Sequence, residues 1–228
     1  MVATLSMLRD KSESKRLSDS VYETMLQAII SGKLKPGTIV SEVALARQLE
    51  VSRTPVHDAL RQLAKDGLIK QRANHRAVIA EFTAADIYDL YQMRKLLEGE
   101  AARLAAKGMD RATLHRLRET ANMLAGNRGK SNWLELWADF DEEFHNAIAM
   151  ASGSPRLWQD IARYHLLHRG FNKISTTHEG LAQALEEHMR ILDAIEKRDA
   201  KEAQKAMVDH LQEWQAYFVN HFPKNAGS

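Results

Sequence analysis

The chain has 228 residues, no cysteine, ten histidines and a formal net charge of +2 at pH 7. With 44% hydrophobic and 27% charged residues, it has an ordinary globular composition, and its length suits one large domain or two small ones. The lack of cysteine excludes a disulfide scaffold, a thiolate zinc finger, an iron–sulfur cluster and a cysteine nucleophile, so any metal needs nitrogen and oxygen ligands. The N-terminus has no apolar signal core, and no run approaches the ~18–20 apolar residues of a bilayer span. We therefore expect a cytoplasmic protein without membrane contact.

The charge is distributed unevenly along the chain. Residues 1–80 contain 13 Lys and Arg against 8 Asp and Glu, a net of +5, whereas the remainder has 19 against 22, a net of −3. A basic N-terminal part joined to an acidic remainder suggests a polyanion-binding unit followed by a unit with another task.

Residues 18–80 predict three short helices followed by a β-ribbon. The preceding residues, 1–17, are polar and lack an apolar period, so we expect them to be flexible. Ser18 is the candidate N-cap of the first helix, and Pro55 suits the first turn of the third helix. This order of elements matches a winged helix-turn-helix. The expected starts of the helices are Ser18, Ser41 and Thr54, and the expected strands are 68–71 and 77–80.

The third helix is the candidate DNA-reading element, because the first residues of a recognition helix reach base edges in the major groove. Arg53 can bond guanine bidentately, and the hydroxyls of Ser52 and Thr54 suit phosphate oxygens. A solvated basic helix in a small helical domain is the alternative. The candidate DNA-binding residues are Ser52, Arg53, Thr54, His57, Arg61 and, in the loop between the strands, Arg76.

Residues 81–222 have a helical pattern almost throughout. Breaks that contain glycine, serine or proline divide this part into six helices, which predicts an all-helical bundle followed by a short tail at 223–228. The fold class is therefore mainly α: an N-terminal winged helix-turn-helix and a C-terminal six-helix bundle. The six helices are expected at 83–107, 111–126, 131–151, 155–173, 178–198 and 200–220.

Four of these helices place an ionisable side chain within an apolar stripe, where a charge is costly unless it is paired or coordinated. Arg94 lies in the first stripe, and Asp141 and His145 lie one turn apart in the third helix. If the last two helices form an antiparallel hairpin, His188 and His210 lie at one level. Three imidazoles and a carboxylate at one depth predict a divalent metal site, with zinc as first choice and nickel or manganese as alternatives. The other interpretation is a set of core histidines, each with its own hydrogen-bond partner.

Other polar residues of the second unit are weaker site candidates. His168 lies on the apolar stripe of the 155–173 helix, so it is a candidate for lining an effector pocket, with a satisfied core or surface histidine as the alternative. His165 is expected to be exposed on one side. The pair Glu186-Glu187 is expected to form a solvated face.

Four blocks of the first unit resemble the signature of the GntR family of bacterial transcription regulators. They occur in order at the expected spacing: Gly32-Lys-Leu-Lys-Pro-Gly37, Ser52-Arg-Thr-Pro-Val56, Ala59-Leu60 and Asp66-Gly-Leu-Ile69. Two positions depart from the family pattern, which usually has Arg in place of His57 and Gly near Arg76.

The second unit resembles the FCD effector domain of the FadR subfamily, in its shorter, VanR-type branch. The blocks that carry the resemblance are Arg94-Lys-Leu-Leu-Glu98, Asp141-Glu-Glu-Phe-His145, Glu187-His-Met-Arg-Ile-Leu-Asp-Ala-Ile195 and Asp209-His-Leu211.

This resemblance implies a ligand set and an effector class. In metal-binding members, an Asp-x-x-x-His pair and two later histidines hold the ion, and these positions are Asp141, His145, His188 and His210 here. Such members usually sense small organic acids, whose carboxylate Arg94 can pair with bidentately. An ion pair with Glu98, one turn further on, is the equally weighted alternative for that arginine.

Together these features predict a ligand-responsive transcription regulator that acts as a repressor. We expect a homodimer, because two heads can then read a palindromic operator DNA. One alternative is the same regulator with a purely structural metal and no carboxylate effector. A metal-dependent hydrolase is less favoured, because no H-E-x-x-H spacing and no placed general base occur; we therefore expect no enzyme activity.

Overall fold

The computed structural model describes residues 2–72, 76–81, 83–175 and 177–221. The chain divides into two compact units, of which the first ends at Thr83 and the second begins at Ala84. Within the described residues, no helix combines the length and apolar character that crossing a membrane requires. The elements of the first unit are α1 (Val2–Ile30), β1 (Ile39–Val40), α2 (Glu42–Gln48), α3 (Arg53–Lys65), β2 (Ile69–Arg72) and β3 (Arg76–Ile79).

Helix α1 is longer than the sequence pattern predicts. It begins at Val2, so Ser18 lies inside the helix and the prediction that it is the N-cap is wrong. The physical reason is the absence of any Gly or Pro from the preceding residues, so that nothing ends a helix there. The buried face of α1 packs on α3, and the Tyr22 hydroxyl donates a hydrogen bond to Asp66 Oδ2 at 2.8 Å.

The predicted helix-turn-helix and strands are present. Ser41 caps α2 by accepting a hydrogen bond from the Ala44 amide, and α3 begins at Arg53. Strands β2 and β3 pair antiparallel, and β1, which was not predicted, adds to the other edge of β3 with Ile39 opposite Val78. A two-residue strand has no period to detect, which is why the sequence does not reveal β1.

In the second unit, the described residues form all six predicted helices. Helices α4 and α9 lie along each other, and α8 packs on α9 while α6 packs on α4. Helix α4 ends at Gly108, where a Cβ atom would clash with the Ala151 carbonyl oxygen at the end of α6. The helices are α4 (Ala84–Gly108), α5 (Arg111–Gly126), α6 (Trp133–Ala151), α7 (Pro155–Ser175), α8 (His178–Glu196) and α9 (Ala200–His221). The proposed tail at 223–228 lies outside the described residues.

Candidate functional site

The exposed face of α3 carries most of the candidate DNA-binding residues. Apolar side chains such as Val56 and Leu63 bury the opposite face, which leaves the polar face to solvent. Ser52 precedes the helix with extended backbone and makes no capping hydrogen bond through its side chain. Arg76 begins β3, but its side chain lies outside the described residues. The exposed candidates are Ser52, Arg53, Thr54, His57 and Arg61.

An acidic residue that the sequence pattern did not indicate shares this face. Glu42 Oε1 lies 2.8 Å from His57 Nδ1, and Glu42 Oε2 lies 3.6 Å from Arg53 Nη2. The hydrogen bond with His57 is the largest cause that holds the pKa of Glu42 below its usual value, and the charges of both partners add to it. The candidate DNA-binding side chains of Arg53 and His57 therefore contact the same carboxylate.

Three imidazoles of the second unit converge in its interior. His145 on α6, His188 on α8 and His210 on α9 each offer a ring nitrogen within 4.8 Å of the others. The Nε2 atoms of His188 and His210 are 3.3 Å apart. Asp141 Oδ1 lies 3.7 Å from His145 Nε2 and 3.6 Å from His188 Nε2. The structure thus brings the four predicted metal ligands together from three helices.

Two of these imidazoles contact buried carboxylates through their Nδ1 atoms. Glu98 Oε2 lies 2.5 Å from His145 Nδ1, and Glu187 Oε2 lies 2.7 Å from His210 Nδ1. When each Nδ1–H donates to its carboxylate, each Nε2 keeps its lone pair toward the other candidate ligands. His188 is instead stacked on the Phe144 ring, with centroids 4.1 Å apart.

Burial sets the protonation states of this cluster. Loss of solvent is the largest cause that lowers the pKa of His145, His188 and His210 below the ordinary imidazole value. Burial opposes ionisation of Asp141, but its hydrogen bond with His168, together with the electrostatic influence of the surrounding imidazoles, holds its pKa well below the usual range. Neutral imidazoles and an ionised carboxylate are the forms that bind metal ions.

The donor set therefore fits a divalent cation. His145 Nε2 is buried without a hydrogen-bond partner among the described residues, and an unsatisfied buried polar atom costs about 1–3 kcal/mol. A cation bound by this nitrogen would remove that cost. Three imidazole nitrogens and one carboxylate oxygen are ligands suited to zinc and to neighbouring first-row metals.

Arg94 lies in a buried polar cluster beside these ligands. Its Nε donates to Glu98 Oε1 at 2.6 Å, and both side chains are at most 2% exposed. The ion pair that the sequence offered as the alternative role of Arg94 is thus formed. Burial opposes ionisation of Glu98, but the charge of Arg94, together with the contacts of Glu98 with His145 and His165, holds its pKa well below the usual range.

His165 is part of the same cluster, so the expectation that it is exposed on one side is wrong. Its Nε2 lies 3.0 Å from Arg94 Nη2 and 3.3 Å from Glu98 Oε2. The residue is buried because α7 packs against both α4 and α6. The apolar pattern of α7 alone does not reveal that both α4 and α6 cover this side of the helix.

A small cavity lies beside the candidate metal ligands. Its volume of about 10 Å³ is on the order of the space that one water molecule needs. His168 lines it, with Nδ1 2.8 Å from the Tyr91 hydroxyl and Nε2 3.6 Å from Asp141 Oδ2. Both predicted effector residues line the cavity, and a molecule larger than water would require these side chains to move. The lining residues are Arg94, Trp137, Asp141, His168, Ala184, His210, Leu211 and Trp214.

Glu187 was expected on a solvated face, and this expectation is wrong. Glu186 is exposed, but Glu187 is only 6% exposed and contacts His210. One residue along a helix rotates a side chain by about 100°, which separates the two environments. The sequence does contain a signal, because Glu187 lies three residues after Ala184 and four before Ile191 on the buried face of α8, but its partner is on another helix.

Comparison with known proteins agrees with this architecture. Residues 89–213 match the FCD domain, and residues 17–79 match the bacterial regulatory proteins of the gntR family. The HTH-type transcriptional repressor RspR of Escherichia coli K12 is 25% identical over 200 residues, which is 86% of each chain. A probable D-xylose utilization operon transcriptional repressor of Paenarthrobacter nicotinovorans is 27% identical and covers 87% of this chain and 89% of its own.

Solved structures share the fold. E. coli McbR/YncC aligns with a TM-score of 0.68 at 22% identity, over 90% of this chain and 97% of that chain. A GntR transcriptional regulator from Rhodococcus sp. RHA1 aligns with a TM-score of 0.59 at 26% identity, over 89% and 97% of the two chains. The chain therefore belongs to the GntR family of DNA-binding transcription regulators that carry an FCD domain, and it is a regulator rather than an enzyme.

Proposed function

We propose that this protein is a ligand-responsive repressor whose second unit binds a divalent metal ion and, beside it, a small organic acid. The observation that carries the proposal is the convergence of three buried imidazoles, with pKa values lowered by burial, on the ionised Asp141. Two relatives that are named as repressors support the direction of regulation.

Zinc is our first candidate for the metal, with nickel and manganese next, because the four donors are nitrogen and oxygen atoms. Asp141, His145, His188 and His210 would hold the ion, which would supply a positive charge for an acid's carboxylate. Isothermal titration of chelator-treated full-length protein should give one ion per chain. His188→Gln should abolish this binding, whereas His115→Gln, on the exposed face of α5, should leave it unchanged.

The acid is proposed to reach the metal through the small cavity, where Arg94 and His168 lie. Thermal unfolding of metal-loaded protein with acetate, malonate and citrate tests this step. A bound acid raises the unfolding temperature, because a ligand at 100 times its Kd contributes about 2.7 kcal/mol. If the protein binds metal but none of these or further acids shifts the transition, a purely structural metal becomes the better interpretation.

The first unit is proposed to bind operator DNA as part of a homodimer. Arg53→Ala should weaken binding to a specific palindromic duplex more than binding to random duplex, because bidentate base contacts carry sequence discrimination. Fluorescence anisotropy measures both affinities, and adding an acid that binds should lower the specific one. Light scattering coupled to gel filtration tests the dimer; a monomeric mass at micromolar concentration would contradict it.

A further inference from the structure

Glu98 connects two parts of the buried cluster through opposite oxygens. Its Oε1 accepts the hydrogen bond from Arg94 Nε at 2.6 Å, and its Oε2 lies 2.5 Å from His145 Nδ1. His165 Nε2 closes the arrangement at 3.3 Å from the same Oε2. Glu98 and Arg94 lie on α4 and His145 lies on α6, so a single carboxylate spans the two helices.

The two contacts of Glu98 depend on each other physically. Arg94 Nε holds one carboxylate oxygen at 2.6 Å, and this contact fixes the other oxygen beside His145 Nδ1. An ionised Glu98 accepts the Nδ1–H of His145 and thereby leaves Nε2 without a proton. A displaced Glu98 would release that tautomer, so that His145 Nε2 carries the proton part of the time.

We propose that Glu98 is a positioning residue that transmits the state of the Arg94 guanidinium to the metal ligand His145. This inference rests on the metal site proposed above, and it adds that the arginine controls metal affinity without touching the ion. A carboxylate ligand that draws Arg94 away from Glu98 would then alter His145 as well. Metal affinity and acid affinity would be linked through one side chain.

The other carboxylate of the cluster provides a matched comparison. Glu187 holds His210 as Glu98 holds His145, but its second oxygen accepts a hydrogen bond from Gln183 at 3.0 Å. Both glutamates are therefore expected to orient a metal ligand, whereas Glu98 is also the partner of Arg94. The two positions therefore differ in the contact with Arg94, which is the feature that the proposal invokes.

Zinc affinity of the full chain, measured by competition with a chromogenic chelator, tests the connection. Losing a carboxylate behind a ligating histidine typically weakens metal binding by about 10–100-fold, so we expect that loss for Glu98→Gln, Glu187→Gln and Arg94→Met.

The double variant R94M/E98Q should bind zinc no more weakly than E98Q, because both changes break the same connection from Arg94 through Glu98 to His145. The variant R94M/E187Q should show the product of the two single losses. Glu100→Gln, on the exposed side of α4, should bind zinc as wild type does.

Histidine tautomers provide a readout that does not require metal. Long-range proton–nitrogen NMR of the metal-free chain should show Nδ1–H at His145 in the wild type and in E187Q, and a mixture with Nε2–H in R94M. If R94M does not fold, Arg94→Lys retains the cation but loses the Nε donor, and it should show a smaller shift in the same direction.

The outcomes separate this inference from the proposed function. Wild-type protein that binds no zinc would refute the metal site, while the NMR comparison would still decide whether Arg94 controls the His145 tautomer. Wild-type protein that binds zinc, with unchanged affinity and tautomer in the folded arginine variants, would overturn the role of Glu98 as a connection. That role would also be overturned if the loss of zinc affinity in R94M/E98Q equalled the product of the two single losses.

Discussion

Acidification should unfold the metal-free second unit well before it affects a typical helical bundle. Burial, with the charge of Arg94 as a further cause, lowers the pKa of His168 to about 3, and burial holds that of His188 well below its ordinary value. A histidine with a lowered folded-state pKa disfavours the proton. Its contribution to stability is therefore present above pH 6.5 and is lost as the pH falls below that value.

The size of the effect follows from proton uptake by the unfolded chain. Between pH 7 and pH 5, an unfolded histidine with a pKa of about 6.5 becomes almost fully protonated, while His168 and His188 stay neutral in the folded state. Integrating this difference gives about 2 kcal/mol per histidine, or about 4 kcal/mol for the two. Domains of this kind have total stabilities of about 5–15 kcal/mol, so much of the stability is lost. The depressed pKa values of Asp141 and Glu98 act at lower pH and leave this window unaffected.

Urea unfolding followed by tryptophan fluorescence measures this change, because all four tryptophans lie between residues 133 and 214, in the second unit. The free energy of unfolding of chelator-treated protein should fall by about 4 kcal/mol or more from pH 7 to pH 5. His168→Gln should remove about half of that fall, whereas His115→Gln should not change it. A wild-type loss below about 1 kcal/mol would refute the reasoning, since it would mean that the buried imidazoles accept protons in the folded state.

Three further changes test individual contacts. Glu42→Gln should raise the affinity for random duplex DNA by about 1.5- to 5-fold in fluorescence anisotropy. The reason is that an exposed ion pair of about 0.2–1 kcal/mol no longer competes with the DNA phosphates. A weaker affinity would show that the carboxylate orients its partners instead. Gly108→Ala should lower the free energy of unfolding by about 1–3 kcal/mol, because its Cβ would press on a backbone carbonyl, whereas Gly126→Ala has open space and should be neutral or stabilise by up to about 1 kcal/mol. Thr177→Ala should cost about 1 kcal/mol in the same urea assay, because the Thr177 hydroxyl caps α8; no change would mean that this end of the helix frays.

Most of the fold is predictable because it rests on local patterns. The six helices of the second unit carry apolar stripes bounded by glycine, proline or serine, and their observed ends lie within about two residues of the predicted ones. The errors occur where a local signal is lacking. Strand β1 has two residues, and the N-terminal part of α1 has neither a stripe nor a residue that stops a helix.

The same distinction between local and long-range signals applies to the residues of the candidate site. Asp141, His145, His188 and His210 are recognisable because ionisable side chains interrupt apolar stripes on their own helices. Glu98, Glu187 and His165 become site residues only through partners on other helices. The burial of His165 depends on how α7 lies against α4 and α6, and a pattern read along one helix contains no information on that packing.

The energetics of this interior indicate that such residues do not serve stability alone. Apolar side chains of similar volume commonly stabilise a core as well as a buried ion pair does, or better. Here the centre of the second unit instead contains Arg94, Glu98, Asp141 and several imidazoles, with His145 Nε2 and His188 Nδ1 buried and unsatisfied among the described residues. A bound cation would satisfy His145 Nε2 and offset the repulsion among neighbouring dipoles. The groups that destabilise this cluster are therefore the same groups that would favour the ion-bound state, so metal binding and the stability of this unit should be thermodynamically linked.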